Sequence, residues 1–258
     1  MENETLLIGG TGFVGQALAP RLVEAGHRVH LVARRPVPVR FGGNAVLHTS
    51  PLDNAKLLHT LLPACRTVFY LASDSTPGTS ASEPMWESEL NLGPALRFLD
   101  ILQKYDHVHL FFISSGGTVY GNPRSLPVDE DHPLSPLSYH GAGKIAMEAF
   151  LQAYCRQFGR GVTILRPSNF YGPGQPYRKG FGIVRGMLEH LRRDQTGAVE
   201  YEVCGEWVPA EVVREEIRVR GGKQHDWALM GPQADFSCDP PLGPVQGQGT
   251  LAGPEVPY

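Results

Sequence analysis

Short apolar runs and amphipathic stretches alternate along the first three quarters of the chain. Thr5–Ile8 is an apolar run that stops at Gly9, and a helical pattern follows from about Val14 to Ala25, closed by Gly26. Arg28–Val32 and Ala45–His48 read as strands. Asn54–Leu62 reads as an amphipathic helix with Asp53 as its N-cap. Thr67–Leu71 and His109–Ile113 are apolar strands on either side of one long helix over Glu83–Tyr105. A Pro-rich loop, 121–138, leads to a helix from near Gly141 to Phe158, then a strand at Val162–Leu165 and a helix at Phe181–Arg193. Pro20 and Pro94 fall inside these helices, where a missing N–H and a ring clash predict kinks or breaks. Regular strand–helix alternation predicts an α/β fold, a parallel sheet with helices on both faces.

The pattern then fades. Ala198–Gly205 reads as one strand and the charged stretch Glu211–Arg220 as a helix. The chain has 30 glycines and 22 prolines in 258 residues, well above average usage. The last 28 positions, 231–258, are especially rich in both and hold no Lys or Arg, so disorder is expected there. The expected organisation is a dinucleotide-binding domain over 1–170, a partial or divergent region over 171–230 and the tail. The change in composition after about residue 195 suggests a segment that is truncated, divergent or read out of frame.

Composition narrows the function. A formal net charge of −3 argues against a nucleic-acid binder. No run approaches the ~18 apolar residues of a membrane span, and no basic-then-apolar leader opens the sequence. The four cysteines are far apart and show neither a disulfide framework nor paired metal spacing, so a cytoplasmic protein without a metal is expected.

The first strand–helix junction carries Gly9-Gly10-Thr11-Gly12-Phe13-Val14-Gly15. Glycines at 9, 12 and 15 allow a tight turn and close approach of main-chain N–H groups to a pyrophosphate at the helix N-terminus. The second strand ends in Arg34-Arg35 where an NAD site usually places an acid. That points to NAD or NADP as coenzyme, with NADP favoured.

Together with Leu71-Ala72-Ser73, Asn91-Leu92-Gly93, Ser114–Gly121, the pair Lys144/Glu148 and Leu165–Gln175, this loop resembles the extended short-chain dehydrogenase/reductase family. The similar branch is the NAD(P)-dependent epimerases and dehydratases of nucleotide sugars. The resemblance covers roughly residues 4–193. It implies a Rossmann-like sheet with a reduced C-terminal substrate region, a nicotinamide dinucleotide coenzyme and a nucleotide-sugar substrate. Members often pair as homodimers through two long helices, for which the helices at 83–105 and 141–158 are the candidates here, the alternative being that their apolar residues are ordinary core. By the same resemblance the coenzyme lies against the glycine loop, Arg34, Leu71, Ala72, Ser73, Lys144 and Pro167, and Asn169 and Arg178 face the substrate. A Tyr serves as acid/base, a Lys lowers its pKa and holds the nicotinamide ribose, and a Ser or Thr shares a hydrogen bond with the reacting oxygen.

This sequence departs from that pattern at three places. The usual Tyr stands four residues before the Lys, which puts both on one helix face. Here Tyr139 is five before Lys144, and His140 is four before it. Either a bulge at Gly141 swings Tyr139 into place, the reading that Gly141's backbone freedom favours, or His140 takes the base's position. The family's hydroxyl position falls on Gly116, leaving Ser115 and Thr118 as the candidates, and Ser50 stands where an Asp often lies near the adenine. Arg166 is a candidate structural ion-pair partner, and Arg178 and Lys179 are candidates to face a diphosphate. The expected function is an epimerase/dehydratase-type oxidoreductase. The alternatives are a dinucleotide-binding relative without turnover and a small-carbonyl reductase of the same fold.

Overall fold

The computed structural model describes residues 3–37, 42–76, 83–123, 127–177, 182–192, 200–203 and 206–209. Six parallel strands form one sheet. They are β1 (Glu4–Ile8), β2 (Arg28–Ala33), β3 (Ala45–Thr49), β4 (Cys65–Tyr70), β5 (His109–Ile113) and β6 (Val162–Leu165), in the order β3-β2-β1-β4-β5-β6. The expected α/β, Rossmann-like architecture is what the chain adopts. Alternation along β1 shows why the sheet needs cover on both sides. Leu6 and Ile8 join a core with Val32, Leu58, Phe98, Leu102 and Leu151. Leu7 packs in a second cluster with Ala19, Val29 and Leu31. A strand buried on both faces reads as a continuous apolar run, and so the strands were legible.

The helices depart from expectation in detail. Helix α1 (Phe13–Glu24) runs through Pro20 instead of ending there. Helix α2 (Ala55–Leu61) is capped not by Asp53 but by Asn54, whose side chain accepts from Leu57 N; Asp53 instead pairs with Arg97. The single helix expected over 83–105 is three pieces: α3 (Pro84–Glu87), a π-helical turn (Ser88–Leu92) and α4 (Gly93–Leu102). Pro94 lies in the first turn of α4, directly after the widened turn.

A short helix, α5 (Gly116–Val119), follows β5, and α6 (Tyr139–Phe158) follows the Pro-rich loop. Helix α6 ends at Gly159 in the left-handed conformation (φ 63°), with its N–H bonded to Cys155 O. Beyond β6 come α7 (Ile183–Arg192) and an antiparallel hairpin of β7 (Glu200–Val203) and β8 (Glu206–Pro209). The expected strand near 198–205 is therefore β7, and its partner β8 was missed. The helix expected at Glu211–Arg220 and the tail over 231–258 lie outside the described residues.

Candidate active site

Strand order reverses between β1 and β4, and their C-terminal ends flank the crevice where nucleotides bind in open α/β sheets. The glycine loop lies there. Gly9 has φ 81°, and a Cβ on it would stand 2.8 Å from Ala72 Cα. A Cβ on Gly15 would stand 2.2 Å from Gly10 O, so the first turn of α1 rests on the loop backbone. Gly12, the N-cap, supplies no capping side chain, and the first turn holds no acid. These features fit a dinucleotide phosphate: a helix start without a side-chain cap, a positive helix end and no competing carboxylate. Around them, Thr11 O accepts from Gln16 Nε2 at 2.8 Å, Leu71 N donates to Ile8 O at 2.9 Å, and Ser73 Oγ donates to Ser75 O at 3.3 Å. Phe13 and Val14 are half-buried at the start of α1. Ser50 Oγ accepts from Asn54 Nδ2 at 2.8 Å.

Arg34 donates to the Asp74 carboxylate just past β4, so the expected 2′-phosphate ligand already has an anionic partner. Pro167 O accepts from Gly116 N at 2.8 Å. Asn169 is exposed, and Arg178 and Lys179 lie outside the described residues.

The bulge expected at Gly141 does not form. Helix α6 is regular from its first residue. Ser138 caps it by accepting from Gly141 N at 3.1 Å, and Ala142 N donates to Ser138 O at 3.0 Å. Its buried stripe runs His140, Lys144, Met147/Glu148, Leu151, with the helical repeat. His140 and Lys144 therefore share the inner face, while Tyr139 is 44% exposed. Gly141 is needed for space instead: a Cβ there would stand 2.4 Å from Thr118 O.

Lys144 Nζ donates to Ile113 O at 2.8 Å, at the end of β5, and lies 5.1 Å from the Phe112 ring centre. Burial lowers its pKa to about 8, against the opposing pull of Glu87 and Glu148.

Both hydroxyl candidates lie at α5. Ser115 is the N-cap of α5 with no capping bond from its side chain, and Thr118 Oγ1 turns back to Ser115 O at 3.5 Å. Gly116 carries no side chain at the family's hydroxyl position, and a Cβ there would be 2.7 Å from Arg166 O. Arg166 is indeed an ion-pair partner. Its guanidinium donates to both oxygens of the buried Glu148, at 2.6 Å from Nη2, and to Tyr120 Oη at 2.9 Å. Glu148, which also accepts from Ser114 Oγ, raises the Arg166 pKa above its ordinary value.

Sequence reasoning missed the groups around His140. Its Nδ1 lies 2.8 Å from Ser75 Oγ and 3.8 Å from Glu87 Oε2. Ser75 Oγ donates to Glu87 Oε2 and accepts from Asn91 Nδ2 at 2.8 Å. Burial pushes the Glu87 carboxyl up, but His140, Ser75 and Asn91 outweigh it and hold the carboxyl below its usual range. A cue was present in Glu87 and Asn91, polar residues four apart and so on one face of a helix.

A glycine loop at the C-terminal ends of parallel strands, with the His140–Ser75–Glu87 cluster packed behind α6, belongs to an α/β protein of Rossmann-like fold. A family model described as "NAD dependent epimerase/dehydratase family" matches residues 5–220, and the chain belongs to that family. It is 29% identical over 198 residues to a putative UDP-glucose 4-epimerase of Methanocaldococcus jannaschii, covering 74% of this chain and 64% of that protein. The chain thus spans just under two thirds of that relative's length. Its fold matches a UDP-glucose 4-epimerase of Thermotoga maritima solved with UDP-glucose, at a TM-score of 0.70 and 23% identity, covering 84% and 82% of the two chains. A UDP-glucose 4-epimerase of Brucella ovis in complex with NAD matches at a TM-score of 0.65 and 25% identity, covering 74% and 62%.

Proposed function

We propose that the chain is an NAD-dependent epimerase/dehydratase-type oxidoreductase acting on a nucleotide sugar, an isomerase in its net reaction if both half-reactions occur. The carrying observation is the placement of His140 and Lys144 one turn apart on the inner face of α6, beside strand ends that also hold the glycine loop. The loop amides would hold the coenzyme diphosphate, with Ala72 and Ser73 alongside. Lys144 would hold the nicotinamide ribose, its position set by Ile113 O. The coenzyme supplies a site that takes and returns a hydride. His140 moves the proton of the substrate hydroxyl. Pairing of Arg34 with Asp74 offsets the charge a 2′-phosphate would seek, so NAD is the coenzyme this geometry favours over the NADP suggested by Arg34-Arg35.

Residues 171–230, with α7 and the β7–β8 hairpin, are proposed as the substrate-covering region, and Asn169 and Arg178 as its contacts. Among the described residues no helix is long and apolar enough to cross a membrane. Trp86, Leu90 and Phe150 are exposed on the segments expected to pair two copies, which supports a homodimer.

Titration calorimetry with NAD⁺ and NADP⁺, then assay with UDP-sugars, tests this reading. Micromolar NAD⁺ binding and interconversion of sugars are expected, and absence of affinity for either coenzyme overturns it. One observation favours a second reading, a coenzyme-binding relative without turnover: Gly116 leaves no hydroxyl where the family's reacting oxygen is held. Coenzyme binding without conversion of any sugar would support that reading.

A further inference from the structure

We propose that Glu87 and Ser75 form a relay that keeps the His140 proton on Nδ1, so that Nε2 is the nitrogen exchanging a proton with the substrate hydroxyl; the inference rests on the function proposed above. Ser75 Oγ has one proton and two lone pairs. Its proton goes to Glu87 Oε2, and Asn91 Nδ2 takes one lone pair at 2.8 Å. The remaining lone pair meets His140 Nδ1 at 2.8 Å, and only a donor fits there. Asn91 cannot be turned round. Its Oδ1 accepts from Asp74 N at 2.7 Å, and a flip would set two acceptors, Oδ1 and the Glu87 carboxylate, against each other.

The carboxylate is itself held in place. Asn91 Nδ2 reaches Glu87 Oε2 at 3.1 Å. A Cβ on Gly143 would stand 2.5 Å from Glu87 Oε1, so the backbone of α6 lies directly against it. The π-helical turn separates Glu87 from α4 and carries Asn91 back over the same hydroxyl. Burial of this charge is costly unless every lone pair is used, and the cluster lies one helical turn from Lys144. A base needs its tautomer fixed, and Glu87 with Ser75 does that; both are positioning residues.

The step balances. As the carbinol carbon is oxidised, its O–H proton passes to Nε2 and the O–H electrons become the second C–O bond. The C–H electron pair leaves as hydride to the nicotinamide coenzyme, which is reduced. The imidazolium so formed faces Glu87 through Ser75, and re-reduction of the carbonyl returns proton and hydride.

The test is two-bond ¹H–¹⁵N correlation spectroscopy on the full chain with ¹⁵N-labelled histidine, at a pH where the ring is neutral. The His140 signals are assigned by their loss in His140→Gln. The wild-type ring is expected to carry its proton on Nδ1. In Glu87→Met the acceptor of the Ser75 proton is gone, the hydroxyl turns to Nδ1, and the tautomer reverses. The same variant should lose roughly 10²–10⁴ in kcat while its NAD⁺ affinity is unchanged. A wild-type ring protonated on Nε2, or a tautomer untouched in Glu87→Met, overturns the relay even if coenzyme binds. An Nδ1–H ring in a chain that binds no coenzyme overturns the functional reading instead, and with it the catalytic half of the inference.

Discussion

Tyr139 and His140 are adjacent in the chain, yet one turns to solvent and the other to the core. Replacing Tyr139 by Phe should leave kcat within about threefold of wild type, because a solvent-facing phenol makes no contribution that the chemistry needs. His140→Ala should reduce kcat by roughly 10²–10⁴. Steady-state assay of both variants with the same UDP-sugar separates the two residues.

Lys144 makes a prediction about pH. Its pKa falls on folding from about 10.5 to about 8, so the unfolded chain binds the proton first. Its stabilising contribution is full above pH 10.5, declines as pH falls through this window and is flat below about 8. Urea unfolding of wild type and Lys144→Met from pH 8 to 10.5 should show a wild-type slope that the variant lacks. At this scale the sequence revealed the helical spacing of His140 and Lys144 but not the partners of His140. Ser75 is 65 positions away and reaches it only through the fold, which no local periodicity encodes.

At the scale of elements, tight backbone approach decides more than propensity does. Gly15→Ala forces a Cβ into Gly10 O, and the expected result is a loss of about 1–3 kcal/mol in stability with at least a tenfold weaker NAD⁺ affinity. Denaturant unfolding and calorimetry measure the two effects. Helix α6 is tied to the end of β6 by the Glu148–Arg166 pair. Arg166→Ala strands a buried carboxylate and should cost roughly 3–5 kcal/mol by the same unfolding measurement. The strands were legible because apolar runs between glycines admit few other readings. The broken helix over 83–105 was not. Its apolar repeat continues across the π turn, and only Pro94 signalled that the ladder had to open. Asp53 was misread as a cap because Asp and Asn are both good caps, and only the fold shows that Arg97 claims Asp53.

For the whole molecule, order reversal at β1 and β4 brings the loop, the relay and Lys144 to one sheet edge from four separate stretches of chain. Strand–helix alternation revealed that architecture, whereas the region after 195 lacks a periodic signal and showed only one strand of its hairpin. A coenzyme that binds only the folded chain should raise its melting temperature. At a hundred times Kd the gain is about 2.7 kcal/mol, or roughly 5–10 °C for a chain of this size. Thermal scans with NAD⁺ and with NADP⁺ check this, and the larger shift is expected with NAD⁺.

The close approach at Gly116 bears on redesign. Installing a serine there, to supply the hydroxyl that the resemblance implies, would drive its Cβ into the Arg166 carbonyl, and that arginine is anchored by Glu148 and Tyr120. A point replacement cannot graft the missing group. The 114–121 and 165–170 stretches would have to be transplanted together, as one cassette.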